Sequence, residues 1–445
     1  MHPATKGNGE DARFKERDWK SIQIHEITDP VEVRFVELDT SIEDTTKLLI
    51  RSGAPNVVLV RESRRTKTAI GTFGYDDLNA YLLLVLGLSK PDEAAVQLAE
   101  RARSGEKLPL SAVIDHIGPK ETPAFLPHNA DLIRAMEVLG GGAHRVIVNK
   151  EGTSEVVGIL SQLRLVRFFW ENHANFASTE KLYALHLKEL ELGTREVLSI
   201  NGDKPLSDAL LLMLHEGISS LPVLDSQKNV VGNISHVDVR LLTDTSAIPL
   251  LSGSCIHFIG VILSERGMED GKDSYPVFHV TPFSTLAHTV AKLCATRSHR
   301  MWIVDAPSPA SSVPPSPGVH TVVPPFSSQN SGAGASGRAG SNAVEHHPHP
   351  TGPPYTNSGV AVSAGQLPGA GMSGRLSGVV SLTDVLNLFA KASGLAPSDP
   401  EEARRRRRRS SSSSLRPSID SVRPSAEMIR GSGELSRSGS SARGR

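Results

Sequence analysis

Cysteine is nearly absent from this chain, and that absence, like several others, removes a class of protein. Cys255 and Cys294 are the only two in 445 residues. They sit in apolar segments and form no CxxC spacing, so they offer no disulfide frame and fit buried thiols in a reducing compartment. Net charge is also missing. Lys and Arg total 48 and Asp and Glu total 48, so the whole chain has no bias toward polyanions. Long apolar runs are lacking too. The longest, Tyr81 to Leu88, is far too short to span a bilayer, and the start MHPATKGNGE carries no signal-peptide core. No GxxxxGK[ST] run supports P-loop hydrolysis. No HExxH or paired CxxC supports a zinc enzyme, and no GxSxG elbow presents a nucleophile. The expectation is a soluble intracellular protein that is not an enzyme, has no membrane partner and holds no resident metal.

What is present is repetition. Four fragments follow one plan: NVVLV…AIGTFGYDDL (Asn56 to Leu78), RVIVNKEGTSEVVGILSQLRL (Arg145 to Leu165), SLPVLDSQKNVVGNISHVDV (Ser220 to Val239) and RMWIVDAP…LSGVVSLTDV (Arg300 to Val385). Each has a β-branched run, a polar turn, a second run, then a polar step into a helix. Such repetition implies a pseudo-symmetric core with sites between units. Ser41 reads as the cap of a helix that Gly53 stops. Leu132 to Leu139 and Leu206 to His215 read as the equivalent helices, stopped by Gly140 to Gly142 and by Gly217. Asp76 to Leu88, Leu163 to Trp170 and a segment from Val237 read as following helices, and Lys181 to Leu192 as a connecting one.

The fourth unit is interrupted. Met301 to Asp305 reads as a strand, but its partner, Gly378 to Ser381, follows only after a Pro-, Gly- and Ser-rich stretch. Loop closure grows only logarithmically with length, so an overgrown hairpin loop costs roughly 2–3 kcal/mol. The chain therefore divides into a flexible start (1–30), unit one (31–90), unit two (91–175), unit three (176–245) and unit four (246–306 with 373–396). A disordered insertion (307–372) and a disordered basic, Ser-rich tail (397–445) complete it.

Four helix–strand–strand–helix units resemble CBS motifs, the regulatory module of cystathionine β-synthase. The resemblance implies an α/β (α+β) fold in which four motifs form two pseudo-twofold pairs in a disc, similar to the gamma subunit of AMP-activated protein kinase. SSLPVLDSQKNVVGNISHVDVRLL, SCIHFIGVILSERG, GKDSYPVFHV, STLAHTVAKLCATRSHRMWIVD and FGYDDLNAYLLLVLGL look like the fungal Sds/Moc-type CBS proteins. That likeness implies roles in cell-cycle progression, DNA replication, cell separation and nutrient or stress response. It also implies restraint of a type-2A-like protein phosphatase.

The turns that end the repeats carry the candidate chemistry. Ser235-His-Val-Asp238 and Ser381-Leu-Thr-Asp384 can each be a capping box. In a CBS module the same turn opens on a cleft, where the carboxylate has two acceptor oxygens for the two ribose hydroxyls of AMP, ADP or ATP. Unit one keeps the acid, Asp77, but has Gly74 in place of Ser. Unit two has Arg164, which accepts no hydrogen bond, so a site there is expected to be empty. His144-Arg145 and His299-Arg300, with Arg297 close by, can be plain strand flanks or, as in gamma-type proteins, phosphate contacts. His236 reads as a solvent-facing spacer, and His346, His347 and His349 as part of the insertion rather than a metal site.

The run Arg404 to Arg409 suggests nuclear import and hence both cytoplasm and nucleus. It also marks Ser410, Ser411, Ser418 and Ser425 as candidate phosphosites for kinases that prefer upstream Arg. No aromatic platform accompanies it, which argues against a nucleic-acid partner. The partners implied are a phosphatase or kinase complex and an adenine nucleotide as regulatory ligand, with self-association open. The rival reading is a scaffold indifferent to nucleotide, or a gamma-like kinase subunit.

Overall fold

In a computed structural model, residues 11–89, 93–117, 123–270, 279–305, 374–402 and 405 are described. They form four three-stranded sheets with one shared topology. Unit one runs β1 (Phe35–Glu37), α1 (Ile42–Ser52), β2 (Val57–Arg61), β3 (Gly71–Gly74) and α2 (Tyr75–Val85), then α3 (Glu93–Arg103) and α4 (Leu110–Val113). Unit two runs β4 (Ala124–Pro127), α5 (Leu132–Gly140), β5 (Arg145–Asn149), β6 (Val156–Ser161) and α6 (Gln162–Glu171), followed by the short α7 (Ala177–Glu180). Unit three has β7 (Ile200–Asn201), α8 (Leu206–Glu216), β8 (Ser220–Leu224) and β9 (Val230–Ser235). Two 3-10 segments follow, His236–Leu242 and Thr245–Leu251, and then α9 (Cys255–Asp270). Unit four has β10 (His279–Val280), α10 (Leu286–Thr296), β11 (Arg300–Val304), β12 (Leu376–Ser381) and α11 (Leu382–Ala392).

In every sheet the first strand lies parallel to the second and the second antiparallel to the third. The fourth hairpin closes across the insertion in the register of its siblings. Arg300 pairs with Ser381 as Arg145 pairs with Ser161 and Ser220 with Ser235. The insertion itself lies outside the described residues.

Local chemistry explains the helix ends. Ser41 Oγ accepts from the Asp44 N–H at 3.1 Å, and Gly53 leaves α1 with φ +60°. Gly217 closes α8 in the left-handed conformation, where a side chain costs roughly 1–2 kcal/mol. Arg297 takes that conformation at the end of α10.

Apolar packing joins the units in two directions. The sheets of units one and two share Val57, Leu59, Ile147 and Ile159, and those of units three and four share Leu224, Val230, Trp302 and Leu376. Helices link the other way. One core joins units one and three through Phe73, Leu83, Leu210 and Phe258, and another joins units two and four through Met136, Leu139, Phe169 and Phe389.

Five sequence expectations change. Residues 93–113, grouped with unit two in the sequence, pack with unit one, where Leu98, Leu110 and Val113 join its core. Residues 11–30, expected to be loose, are ordered. Phe14, Trp19, Ile22 and Ile24 are buried in the core of units two and four. Main-chain bonds tie them down, Ile24 N to Ala130 O at 2.9 Å and Leu132 N to Ile22 O at 2.8 Å. Residues 181–192 form turns, not a helix. The N–H groups of Leu187 and Lys188 donate to Ser284 and Pro282 of unit four, so they are not used within a helix. The segment after Ser235 is 3-10 rather than α, with Pro249 inside its second stretch. Residues 246–270, grouped with unit four in the sequence, reach α9, which packs on α8 and β9 of unit three. A Cβ on Gly232 would overlap Ile259 of α9, so glycine there permits this close approach.

Candidate functional site: where the turns of the units meet

Each hairpin ends at the turn that leads into its helix, and the strand before it begins directly opposite. Because Arg145 faces Ser161 and Arg300 faces Ser381 in register, each His-Arg pair stands beside a turn. One main-chain bond recurs there. Gln162 N donates to His144 O at 3.1 Å, His236 N to Ser219 O at 3.0 Å and Leu382 N to His299 O at 3.0 Å.

The His-Arg pairs converge. Burial is the main cause that holds His299 down at about 3, and the nearby His144, Arg145 and Arg300 push the same way. Arg145 donates across to Pro55 O of unit one at 3.2 Å. Arg300 donates to the carbonyl and hydroxyl of Ser220 in unit three at 3.3 and 3.2 Å. These equivalent bonds position two guanidinium groups where the units meet. Planar guanidinium groups and imidazoles grouped this way suit the oxygens of a phosphate. Arg297 stands apart, exposed at the end of α10.

The acidic turns are capping boxes. The Oδ2 of Asp238 accepts from Ser235 N at 2.8 Å and Ser235 Oγ at 2.6 Å. The Oδ2 of Asp384 accepts from Ser381 N at 2.8 Å and Ser381 Oγ at 2.7 Å. Asp77 Oδ2 accepts from Gly74 N at 2.8 Å. With two bonds accepted, Oδ2 of Asp238 or Asp384 has both lone pairs engaged. This corrects the expectation of two oxygens for a sugar: the cap engages Oδ2 of each of these carboxylates, so neither offers more than Oδ1. In unit three that oxygen, Asp238 Oδ1, already faces Arg266 of α9 at 3.6 Å.

In unit two, Arg164 is held by the N-terminal segment. Its Nε donates to Ile27 O at 2.7 Å and its Nη1 to Glu32 Oε1 at 2.8 Å. The groove that lacks an acid is therefore bridged by the protein's own chain.

His236 is not a solvent-facing spacer. Its Nε2 is buried without a protein partner, and burial first of all lowers its pKa to about 4. Asp76, Arg300 and His144 are its electrostatic neighbours. The matching place in unit two is Gln162, whose Nε2 donates to Leu139 O at 2.9 Å and to Thr383 Oγ1 at 2.8 Å. Sequence reasoning missed His236, Asp76, Gln162 and Thr383. Stacking the four turns column by column exposes them, because all are polar at the second or third position of the turn. Arg266 and Glu32 carried no such signal.

Among the described residues no group of three or more His, Cys, Asp or Glu is placed to hold a metal ion. No helix among them is long and apolar enough to cross a membrane. Ser410, Ser411, Ser418 and Ser425, like His346, His347 and His349, lie outside the described residues.

Comparison with known proteins agrees with this architecture. The CBS domain model matches residues 188–243. Protein MJ1225 from Methanocaldococcus jannaschii, proposed to be an archaeal homolog of g-AMPK, superposes with a TM-score of 0.54 at 13% identity, covering 83% of this chain and all of that one. Protein SDS23 of Phaeosphaeria nodorum is 58% identical over 94% of this chain and 78% of its own length. Protein sds23 of Botryotinia fuckeliana is 52% identical over 94% and 83%. With this identity carried along nearly the whole four-unit frame, the chain belongs to the SDS23 family of CBS-domain regulatory proteins.

Proposed function

We propose that this protein is a non-catalytic regulator that binds an adenine nucleotide where its units meet and transmits occupancy to a protein partner. One observation carries the reading. His144, Arg145 and Arg300 all act electrostatically on the buried His299, and Arg300 lies in register with Ser381 of the Ser381–Asp384 cap. A phosphate at the cationic end would place a ribose within reach of the acidic cap. Unit four sets a guanidinium, Arg300, in register with a Ser-Asp cap, whereas unit two has Arg164, bound to Glu32, in place of the acid. A ligand shifts an equilibrium only through differential affinity for two states, so a coupling of about 1–3 kcal/mol is expected.

The downstream half of the proposal draws on kinship to the Sds/Moc-type proteins. It is restraint of a type-2A-like phosphatase, acting in cell-cycle progression, DNA replication, cell separation and stress response in cytoplasm and nucleus. Calorimetry of the whole chain with AMP, ADP and ATP tests the upstream half. Asp384→Ala is expected to weaken binding at least tenfold, and unchanged affinity in that variant would remove Asp384 from the site. A second reading, a scaffold indifferent to nucleotide, is favoured by the two corners already engaged by Arg266 and Arg164. A nucleotide at a hundred times its Kd adds about 2.7 kcal/mol of stability; a scaffold shows no thermal shift.

A further inference from the structure

The meeting of units one and three holds an imidazole with an unfinished environment. His236 follows β9, and its main-chain N–H is fixed on Ser219 O at 3.0 Å. The side-chain Nε2 is buried and bonds to no protein atom. Three charged or titratable groups from three other elements act on it electrostatically: Asp76 at the head of α2, Arg300 at the head of β11 and His144 just before β5. His299 and Arg145 adjoin the last two. On its own turn Asp238 is engaged by Ser235 and Arg266.

At the equivalent place between units two and four, Gln162 and Thr383 close the contact with a neutral hydrogen bond of 2.8 Å. Glutamine completes such a contact without charge. Histidine leaves it incomplete, but alone of the two it can take a proton. Burial, helped by Arg300 and His144 and opposed by Asp76, keeps that proton off the ring near neutral pH. A dianion arriving beside Nε2 reverses the balance, because an adjacent negative charge favours the imidazolium form.

We propose that His236 is a ligand-linked proton site: a phosphate group entering the centre accepts a hydrogen bond from its Nε2 and draws a proton onto the ring. The inference rests on the reading of this centre as a nucleotide site and adds its regulation. The ligand-free ring is neutral and the liganded ring is charged, so binding takes up a proton. Affinity therefore rises as pH falls, by at most about tenfold per pH unit for one proton.

The test is calorimetry of AMP on the full chain at pH 7.5, in buffers of different ionisation enthalpy. Inorganic sulfate is a parallel probe whose own charge does not change. Net proton uptake is expected with both ligands. His236→Gln keeps a hydrogen-bonding side chain that does not titrate; it should bind several-fold more weakly, without proton uptake. Asp76→Asn should take up less and bind more tightly at pH 8, since one anion has left the site. NMR of the His236 ring in the unaltered protein, at fixed pH, should move from neutral to protonated on adding AMP. Binding with no uptake, or uptake that survives in His236→Gln, overturns the proton site and leaves the nucleotide reading intact. Failure of both AMP and sulfate to bind overturns the two together.

Discussion

The two contacts that join the CBS pairs are built on one plan and finished differently. In both, an asparagine of a trailing helix donates to a carbonyl of the opposing leading helix: Asn79 to Leu210 O at 3.2 Å and Asn387 to Gly140 O at 3.1 Å. Between units two and four the contact at the turns is closed, although the Tyr183 hydroxyl, packed beside Phe389, is buried without a protein partner. Gln162 bonds twice, and a Cβ on Gly140 would stand only 3.3 Å from the backbone of Leu386 and Asn387. Between units one and three, Asn79 Oδ1 and His236 Nε2 are buried without a protein partner. A buried polar atom left without a partner costs about 1–3 kcal/mol, and a fold retains such a cost most readily where function uses it. The comparison suggests a fixed hinge on one side and an adjustable one on the other.

The strongest way to break the comparison is to hollow out the closed side. Phe389→Ala, at a fully buried position, should cost about 3–5 kcal/mol in urea unfolding, and a loss below 1 kcal/mol would mean that this core is not what holds units two and four. Next is Gln162→Leu, which strands Thr383 Oγ1, while the Leu139 carbonyl keeps the Gly142 N–H, and should cost about 1–3 kcal/mol. His236→Gln on the other side should be neutral or stabilising. Equal losses in the two variants would erase the difference between the contacts.

Acid sharpens the same contrast. His236 and His299 are lowered in the fold to about 4 and about 3, against about 6.5 when unfolded. The unfolded chain therefore binds more protons in that window. Stability should fall as pH drops from about 6.5 toward 4, by at most about 1.4 kcal/mol per pH unit for each ring. Urea midpoints across that range should show a shallower fall in His236→Gln, and an identical slope would mean that His236 is not buried in its neutral form. Arg266→Ala should have the smallest effect on stability, below about 1 kcal/mol for a partly exposed pair. It frees Asp238 Oδ1, however, and calorimetry should then find additional nucleotide binding that Asp238→Ala removes.

Much of this frame could be read in the residues. Hairpin strands announced themselves through β-branched runs such as Val57 to Val60, and helix ends through Gly53 and Gly217, because both signals are local. The return of the fourth strand at Gly378 was legible for the same reason. What escaped depends on distant partners. Phe14, Trp19, Ile22 and Ile24 follow no helical or strand period, since Phe14 and Trp19 are buried against Phe168 and Phe169 of α6 and Ile22 and Ile24 by main-chain bonds to Leu132 and Ala130. Residues 181–192 carry helix-like apolar spacing, yet the amides of Leu187 and Lys188 are claimed by unit four and the segment breaks into turns around them. The capping boxes were legible, but the loss of one carboxylate oxygen to each was a matter of geometry. The orientation of His236 is set only when all four units have closed around it.

The fourth hairpin has a consequence for how this protein can change over generations. Val304 pairs with Leu376 just outside the insertion, so the two ends of the intervening segment leave the sheet about 5 Å apart. Two ends that close together make a natural graft point. The hairpin register is set inboard of those ends, so the length of what is spliced between them can vary while Arg300 still faces Ser381 at the other end of the strands.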